Sequence, residues 1–125
     1  MSYAPVNNTM VVRGSTERLN ELINDNAVYD KIAEVSNDVQ PRKNFTLESD
    51  DAELWFHYET NGEPHEEVPE FIKKKYPDLR VFFSSIDYDE FCFAYYKEIG
   101  KPEEYNYHTL DEEKIDEMFE DFISK

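Results

Sequence analysis

Between Glu53 and Tyr96 the spacing of apolar residues changes period in an order that few folds can satisfy. In Glu53-Leu-Trp-Phe-His-Tyr-Glu59, Leu54, Phe56 and Tyr58 alternate with Trp55, His57 and Glu59. Bulky side chains on both sides of the alternation predict a central strand. Asn61-Gly62 is a turn signal, and Pro64 and Pro69 suit the approach and first turn of a helix, where a missing N–H costs little. Val68, Phe71, Ile72 and Tyr76 then make one helical stripe, and Lys73, Lys74 and Lys75 sit toward its electronegative end. Pro77 stops the helix. Leu79–Phe83 predicts a strand, Ser84–Asp89 a hairpin connection, and Glu90–Tyr96 the strand that pairs back. Most of the chain's aromatic residues lie in this stretch, so the core must form around it.

The flanks add to that frame. Thr9–Arg13 is a short apolar strand closed by Gly14, and Ser15 can cap a helix carrying Leu19, Leu22 and Ile23 on one face. Asn24–Asn26 interrupts it. Val28, Ile32 and Val35 recur at helical spacing, although the segment also fits a strand end. Ser36–Asn44, with Asn, Asp, Pro and mixed charge, reads as a loop. Phe45–Leu47 can add a few strand residues, and Glu48–Asp51 reads as an acidic turn. Gly100-Lys-Pro102 ends the compact part, and Glu103–His108 reads as a crossing to a last helix. Thr109 and Glu112 there have capping-box spacing, and Leu110, Ile115, Met118, Phe119 and Phe122 form the apolar face. The expectation is an α+β fold: a ferredoxin-like antiparallel sheet with helices packed on one face, plus an acidic C-terminal helix. Residues 1–100 form the ferredoxin-like domain, and residues 101–125 carry the helix packed on it or extending it.

A chain of 125 residues is one domain's worth. Its high content of charged residues alone would suggest disorder, but nine Phe, nine Tyr and one Trp are too much aromatic surface for a solvated coil. The single cysteine, Cys92, with no CxxC, fits a reducing compartment. No apolar run approaches bilayer length, and Met-Ser-Tyr-Ala-Pro-Val-Asn-Asn lacks the basic and apolar regions of a signal peptide. A cytoplasmic protein is expected.

Candidate chemistry is thin. His57 and His65, with Glu59 or Glu63, could form a weak metal site, but the spacing lacks a clear third ligand. They read as a strand histidine and a loop histidine. His108 reads as a packing or capping residue. Cys92, between Phe91 and Phe93, reads as a small buried hydrophobe rather than a nucleophile. Asp87, Asp89 and Glu90 lack the alternate-ligand loop of a calcium site. Phe82, Phe91, Phe93, Tyr95 and Tyr96 resemble an RNA-stacking platform only without the basic residues one needs. One Gly-Ser turn falls short of a phosphate loop. No catalytic residue, cofactor or metal ligand is singled out.

Charge is the informative property. The net charge is −16, and nearly all of the excess falls after residue 45. That argues against direct nucleic-acid binding and against anionic membranes. A solvated exterior accounts for such a surface cheaply. The sharper reading is a non-enzymatic interaction protein that binds a basic, nucleic-acid-binding protein surface and imitates DNA. Duplex DNA carries one charge per ~1.7 Å, so the surplus matches about eight base pairs. The contacting residues expected are Asp111, Glu112, Glu113, Asp116, Glu117, Glu120 and Asp121 on the last helix. Asp87, Asp89 and Glu90 form a second set, and Tyr105 and Tyr107 are aromatic anchors. The rivals are a ligand-binding, metal-binding or enzymatic domain using the aromatic sheet and His57, and a self-associating structural domain.

Two stretches carry a resemblance. Asn8-Thr-Met-Val-Val-Arg-Gly-Ser-Thr-Glu-Arg-Leu19 is similar to the opening pattern of the YubB-like ferredoxin-fold family. Glu59-Thr-Asn-Gly-Glu-Pro-His-Glu-Glu-Val-Pro-Glu-Phe-Ile-Lys-Lys-Lys-Tyr-Pro-Asp-Leu79 is similar to its central motif, where a strand ending in Thr leads through Pro to a helix closed by Tyr-Pro-Asp-Leu. Phe93–Gly100 follows its closing strand. Where that family has a Trp just after the Thr, this chain has Asn61-Gly62. The resemblance implies a ferredoxin-like fold and a plasmid or phage origin, with host defence as a target, and no catalytic residues.

Overall fold

The computed structural model describes residues 5–36, 39–44, 52–61, 65–87, 93–108 and 111–124. Element order is β1 (Pro5–Gly14), α1 (Thr16–Ile23), α2 (Asn26–Ala33), β2 (Val39–Asn44), β3 (Ala52–Asn61), α3 (Glu67–Lys75), β4 (Arg80–Asp87), β5 (Phe93–Glu98), β6 (Glu104–His108) and α4 (Glu112–Ile123). Among the described residues the strands form one six-stranded sheet in the order β2-β3-β1-β4-β5-β6, and every neighbouring pair is antiparallel. The first four strands make the ferredoxin-like pattern. β3 separates the two strands joined by α1 and α2, and β1 separates the two joined by α3. β5 and β6 extend the sheet beyond β4.

Alternation divides the core into two layers. Met10, Val12, Leu54, Phe56, Tyr58, Val81 and Phe83 turn to one face, where Leu19 and Leu22 of α1, Val28 and Ile32 of α2, and Val68 and Ile72 of α3 cover them. Val11, Phe82, Ile86, Ala94 and Tyr96 turn to the other, under Ile115, Phe119, Phe122 and Ile123 of α4. Adjacent bulky residues such as Phe82 and Phe83, or Tyr95 and Tyr96, therefore serve different layers.

Local chemistry sets the ends of the elements. Ser15 caps α1 by accepting from the Arg18 amide at 3.3 Å, and Asp25 caps α2 by accepting from Ala27 at 3.0 Å; such caps contribute about 1 kcal/mol each. Glu67 and Glu70 open α3 and Lys73–Lys75 close it, matching the helix dipole at both ends. Gly14 ends β1 where an added Cβ would overlap Leu79 Cδ2, so a side chain there forces Leu79 to shift. Gly100 turns β5 toward β6 at φ +93°, a conformation L side chains rarely adopt.

Four local expectations change and one open alternative is settled. Val39–Asn44, read as loop, is β2; Pro41, Arg42 and Lys43 weaken a strand signature but suit a sheet edge, and β2 is an edge. Val28, Ile32 and Val35 belong to α2 and its C-terminal turn, so the helical alternative holds. Ser84–Asp87 continue β4 instead of opening a hairpin connection. Glu103–His108, read as a crossing, contains β6; Tyr105 and Tyr107 alternate with polar residues at the strand period. The capping box expected of Thr109 and Glu112 is not formed, because Asp111 caps α4 and Glu112 is its first residue. The expectations on Phe45–Leu47, Glu48–Asp51, Gly62, Glu63, Pro64, Asp89, Glu90, Phe91, Cys92 and Leu110 lie outside the described residues.

Candidate functional site

α4 is seated from three sides. Ile115, Phe119, Phe122 and Ile123 recur every three or four residues and bury one face of the helix. The Phe119 ring meets Trp55 edge-on at 5.6 Å and stacks on Tyr96 at 5.7 Å; Phe122 meets Phe82 at 5.3 Å and Tyr105 at 5.6 Å. The Tyr96 hydroxyl donates to the carbonyl of Ile115 at 2.8 Å. At the far end Arg13 donates to the carbonyl of Ile123, placing a cation where the helix dipole is negative. Glu53 holds Arg13 at 2.7 Å and accepts from the Trp55 indole at 2.9 Å.

This seating fixes the acidic residues. Asp111 caps the helix, accepting from the amides of Glu113 and Lys114 at 3.1 and 3.3 Å. Its role is in part structural. Glu112, Glu113, Asp116, Glu117, Glu120 and Asp121 are exposed. At 3.6 residues per turn they form two rows, Glu112–Asp116–Glu120 and Glu113–Glu117–Asp121, each with like charges four residues apart. From Asp111 to Ile123 the helix carries seven acids and one lysine. It is ~18 Å long, so there is one net negative charge per ~3 Å, close to the ~3.4 Å per phosphate of one DNA strand.

Elsewhere many of the described acids have a cation at hand. Arg18 bridges Glu21 and Asp78, Lys31 meets Glu34, Lys75 meets Asp25, Arg80 meets Glu98, and Lys97 lies between Glu66 and Glu104. Among the described residues, none of the six exposed acids of α4 has an ion-pair partner. Glu120 and Asp121 also occupy the last turn, which holds no basic residue of its own, so the dipole disfavours them there. The dipole favours Glu112 and Glu113 in the first turn, whereas repulsion along the two rows and the acids of the last turn oppose folding.

Tyr105 and Tyr107 stand beside α4. Their side chains turn to its face of the sheet and, with Met118, Asp121 and Phe122, line a groove of about 340 Å³ between β6 and the helix. A smaller recess continues past Tyr105 and Phe122 to Glu98, Lys101 and Glu103. The structure thus brings the expected anchors together with Asp121. It does not bring Asp87 to them. Asp87 ends β4 on the alternation of Val81 and Phe83, the face covered by α1–α3.

The histidines are engaged locally. His57 Nδ1 lies 3.1 Å from Thr9 Oγ1 with its ring beside Trp55, His65 Nδ1 lies 2.8 Å from Glu67 Oε1, and His108 is a β6 residue whose ring lies 5.2 Å from Phe93. Among the described residues, no group of three or more His, Cys, Asp or Glu is placed to hold a metal ion. On the face covered by α1–α3, burial pushes the Tyr95 hydroxyl well above the usual phenol range, helped by its bond to Glu66. The Tyr76 hydroxyl is pushed up to about 12 by burial and by donating to Asp25. Both tyrosines therefore act as neutral donors that tie elements together.

Sequence reasoning missed Arg13, Glu53 and Trp55 as the seat of the helix, and Met118 and Phe122 as walls of the groove. The paired bulky residues Phe82-Phe83 and Tyr95-Tyr96 carried the relevant signal, since each demands a cover on both faces. No described helix is long and apolar enough to cross a membrane. Comparison with protein-family models, curated proteins and solved structures returned no match.

Proposed function

We propose that this is a non-enzymatic acidic interaction protein that binds a basic, nucleic-acid-binding protein surface through the outer face of α4, as a mimic of DNA. The observation that carries this reading is the pair of exposed carboxylate rows on α4, which lack ion-pair partners among the described residues and sit on a helix anchored by Tyr96, Arg13 and the Phe119–Phe122 face. Carboxylates that oppose folding and are left unneutralised are suited to attracting cations from outside, and their field speeds encounter with a basic partner. A helix already held by the sheet spares the cost of ordering its backbone on binding. The resemblance to a plasmid- and phage-borne family favours a host target in the cytoplasm, such as a nuclease, repressor or defence complex, with the protein acting as inhibitor.

The test is displacement. Host DNA-binding proteins are loaded with fluorescent duplex DNA and titrated with this protein. Release is expected at about 50 mM salt, and direct binding of this protein to the same partners without DNA is expected to weaken steeply between about 50 and 300 mM, because the meeting surfaces are charged. Glu113→Gln/Glu117→Gln/Asp121→Asn is expected to weaken release by about tenfold or more. Salt-independent direct binding, or a triple variant as effective as wild type in releasing DNA, rejects the reading. Turnover of a small molecule abolished by His57→Ala would favour the enzymatic rival.

A further inference from the structure

The two edges of the sheet are unlike. β2 carries Pro41, Arg42 and Lys43, residue types that discourage another strand from pairing. β6, the opposite edge, reads Glu104-Tyr-Asn-Tyr-His108, with neither proline nor lysine. Among the described residues β6 is paired on one side only, by β5. In an edge strand alternate residues aim their N–H and C=O groups away from the sheet. Alongside runs the groove walled by Tyr105, Tyr107, Met118 and Phe122, with Asp121 at its rim. Glu104 faces the other side of the strand, 3.6 Å from Lys97, and Glu103 lies where the recess continues.

We propose that β6 receives an extended basic arm of the partner as a seventh strand. This rests on the proposed function, in which the partner is basic. Main-chain hydrogen bonds to an edge supply affinity without regard to sequence, and pockets for alternate side chains supply selectivity. Arginine suits the groove positions. Its stem covers Met118, its guanidinium stacks on Tyr107, and its charge reaches Asp121. Intervening residues face Glu104, Asn106 and His108, which are exposed. Charge selects this occupant over a second copy of the chain, because two chains of net charge −16 repel as they approach. Basic arms are common on nucleic-acid-binding proteins.

The probe is the capped peptide Arg-Thr-Arg-Val-Arg-Thr and two N-methylated forms, one methylated at the arginines and one at the intervening residues. An added strand bonds through one edge of its backbone, so the two methylated forms are expected to differ by at least about tenfold in affinity for the full-length protein. Amides within Glu104–His108 are expected to exchange more slowly when the parent peptide is bound. Equal affinities for the two methylated forms overturn the inference while leaving charge attraction by α4 in place. Failure of the parent peptide to bind at low salt also overturns it, and DNA displacement then decides the role of α4 on its own. Protection of the same amides that grows with protein concentration, without peptide, assigns the edge to a second copy and overturns it too.

Discussion

The hydroxyl of Tyr96 on β5 donates to the carbonyl of Ile115 on α4 at 2.8 Å, joining the extended half of the sheet to the helix that covers it. Both residues are almost fully buried. The tyrosine ring also stacks on Phe119 and Phe122. One side chain thus contributes both the packing and the polar link that set the height of α4 above the sheet.

Tyr96→Phe keeps the ring and removes the donor. The Ile115 carbonyl lies inside α4, so the expected loss is about 1 kcal/mol, the net value of an ordinary hydrogen bond. Tyr96→Ala also opens a cavity, with an expected loss of about 3–5 kcal/mol. Urea denaturation curves for both variants check the difference. Equal losses would show that the hydroxyl contributes more than a single bond.

Asp25 provides a pH test. Its Oδ2 lies 2.6 Å from Lys75 Nζ and accepts from the Tyr76 hydroxyl at 2.7 Å, joining α2 to the end of α3. The bond to Lys75, then the one to Tyr76, holds its carboxyl below the usual range. A depressed folded-state pKa means that its contribution is complete above the unfolded value of ~3.9 and fades as pH falls through the folded value. Asp25→Asn keeps a residue able to cap α2, so the loss at neutral pH is expected to be about 1 kcal/mol. That gap should narrow as pH drops below ~4 in denaturation measured from neutral pH to about pH 2.

Neutralising one row of α4 is expected to stabilise the fold. Glu113→Gln/Glu117→Gln/Asp121→Asn removes two like-charge contacts at four-residue spacing, worth roughly 0.4–1 kcal/mol together. Added salt should raise the melting temperature of wild type more than that of the triple variant, because screening acts on the same repulsion. Calorimetry at about 20 and 500 mM NaCl reads both effects. A triple variant less stable than wild type would mean that these acids support the helix.

Gly14→Ala tests the packing of β1 against the residue that leads into β4. The added methyl overlaps the fully buried Leu79 side chain, and overpacking of this kind typically costs about 1–3 kcal/mol. Gly100→Ala fails for another reason, since the nearest atom to its Cβ would be a flexible lysine carbon, Lys73 Cε at 3.7 Å, and the strain comes from its positive φ. Thermal melts of the two variants, each with a Leu79→Val partner, separate the causes. The smaller side chain should relieve Gly14→Ala and leave Gly100→Ala unchanged.

The ferredoxin-like centre was legible because period and punctuation agree there. Trp55, Phe56, His57 and Tyr58 announce a strand covered on both sides, and Pro69 and Pro77 bracket α3 within a residue or two. The edges were less legible. An edge strand is half relieved of packing, so β2 tolerates Pro41 and adjacent charges that read as loop. β6 is only five residues long and follows Gly100 and Pro102, which look like an exit from the fold. Charge content and the apolar face of α4 were plain from spacing. The face on which the helix lies was not, because Phe82 and Phe83 offer apolar cover sites on opposite sides of one strand. The anchoring of its last turn by Arg13, 110 positions earlier in the chain, has no local signature.

The two carboxylate rows of α4 have a consequence for what can be separated from what. An isolated helix of this length is marginal in water even with favourable side chains, and this one sets like charges on successive turns. Cut from the sheet, the segment would relax to coil, and the regular spacing of its charges would vanish with the helix. A synthetic α4 peptide should therefore be a poor substitute for the protein, and heating should abolish the proposed partner binding and the sheet structure in one transition.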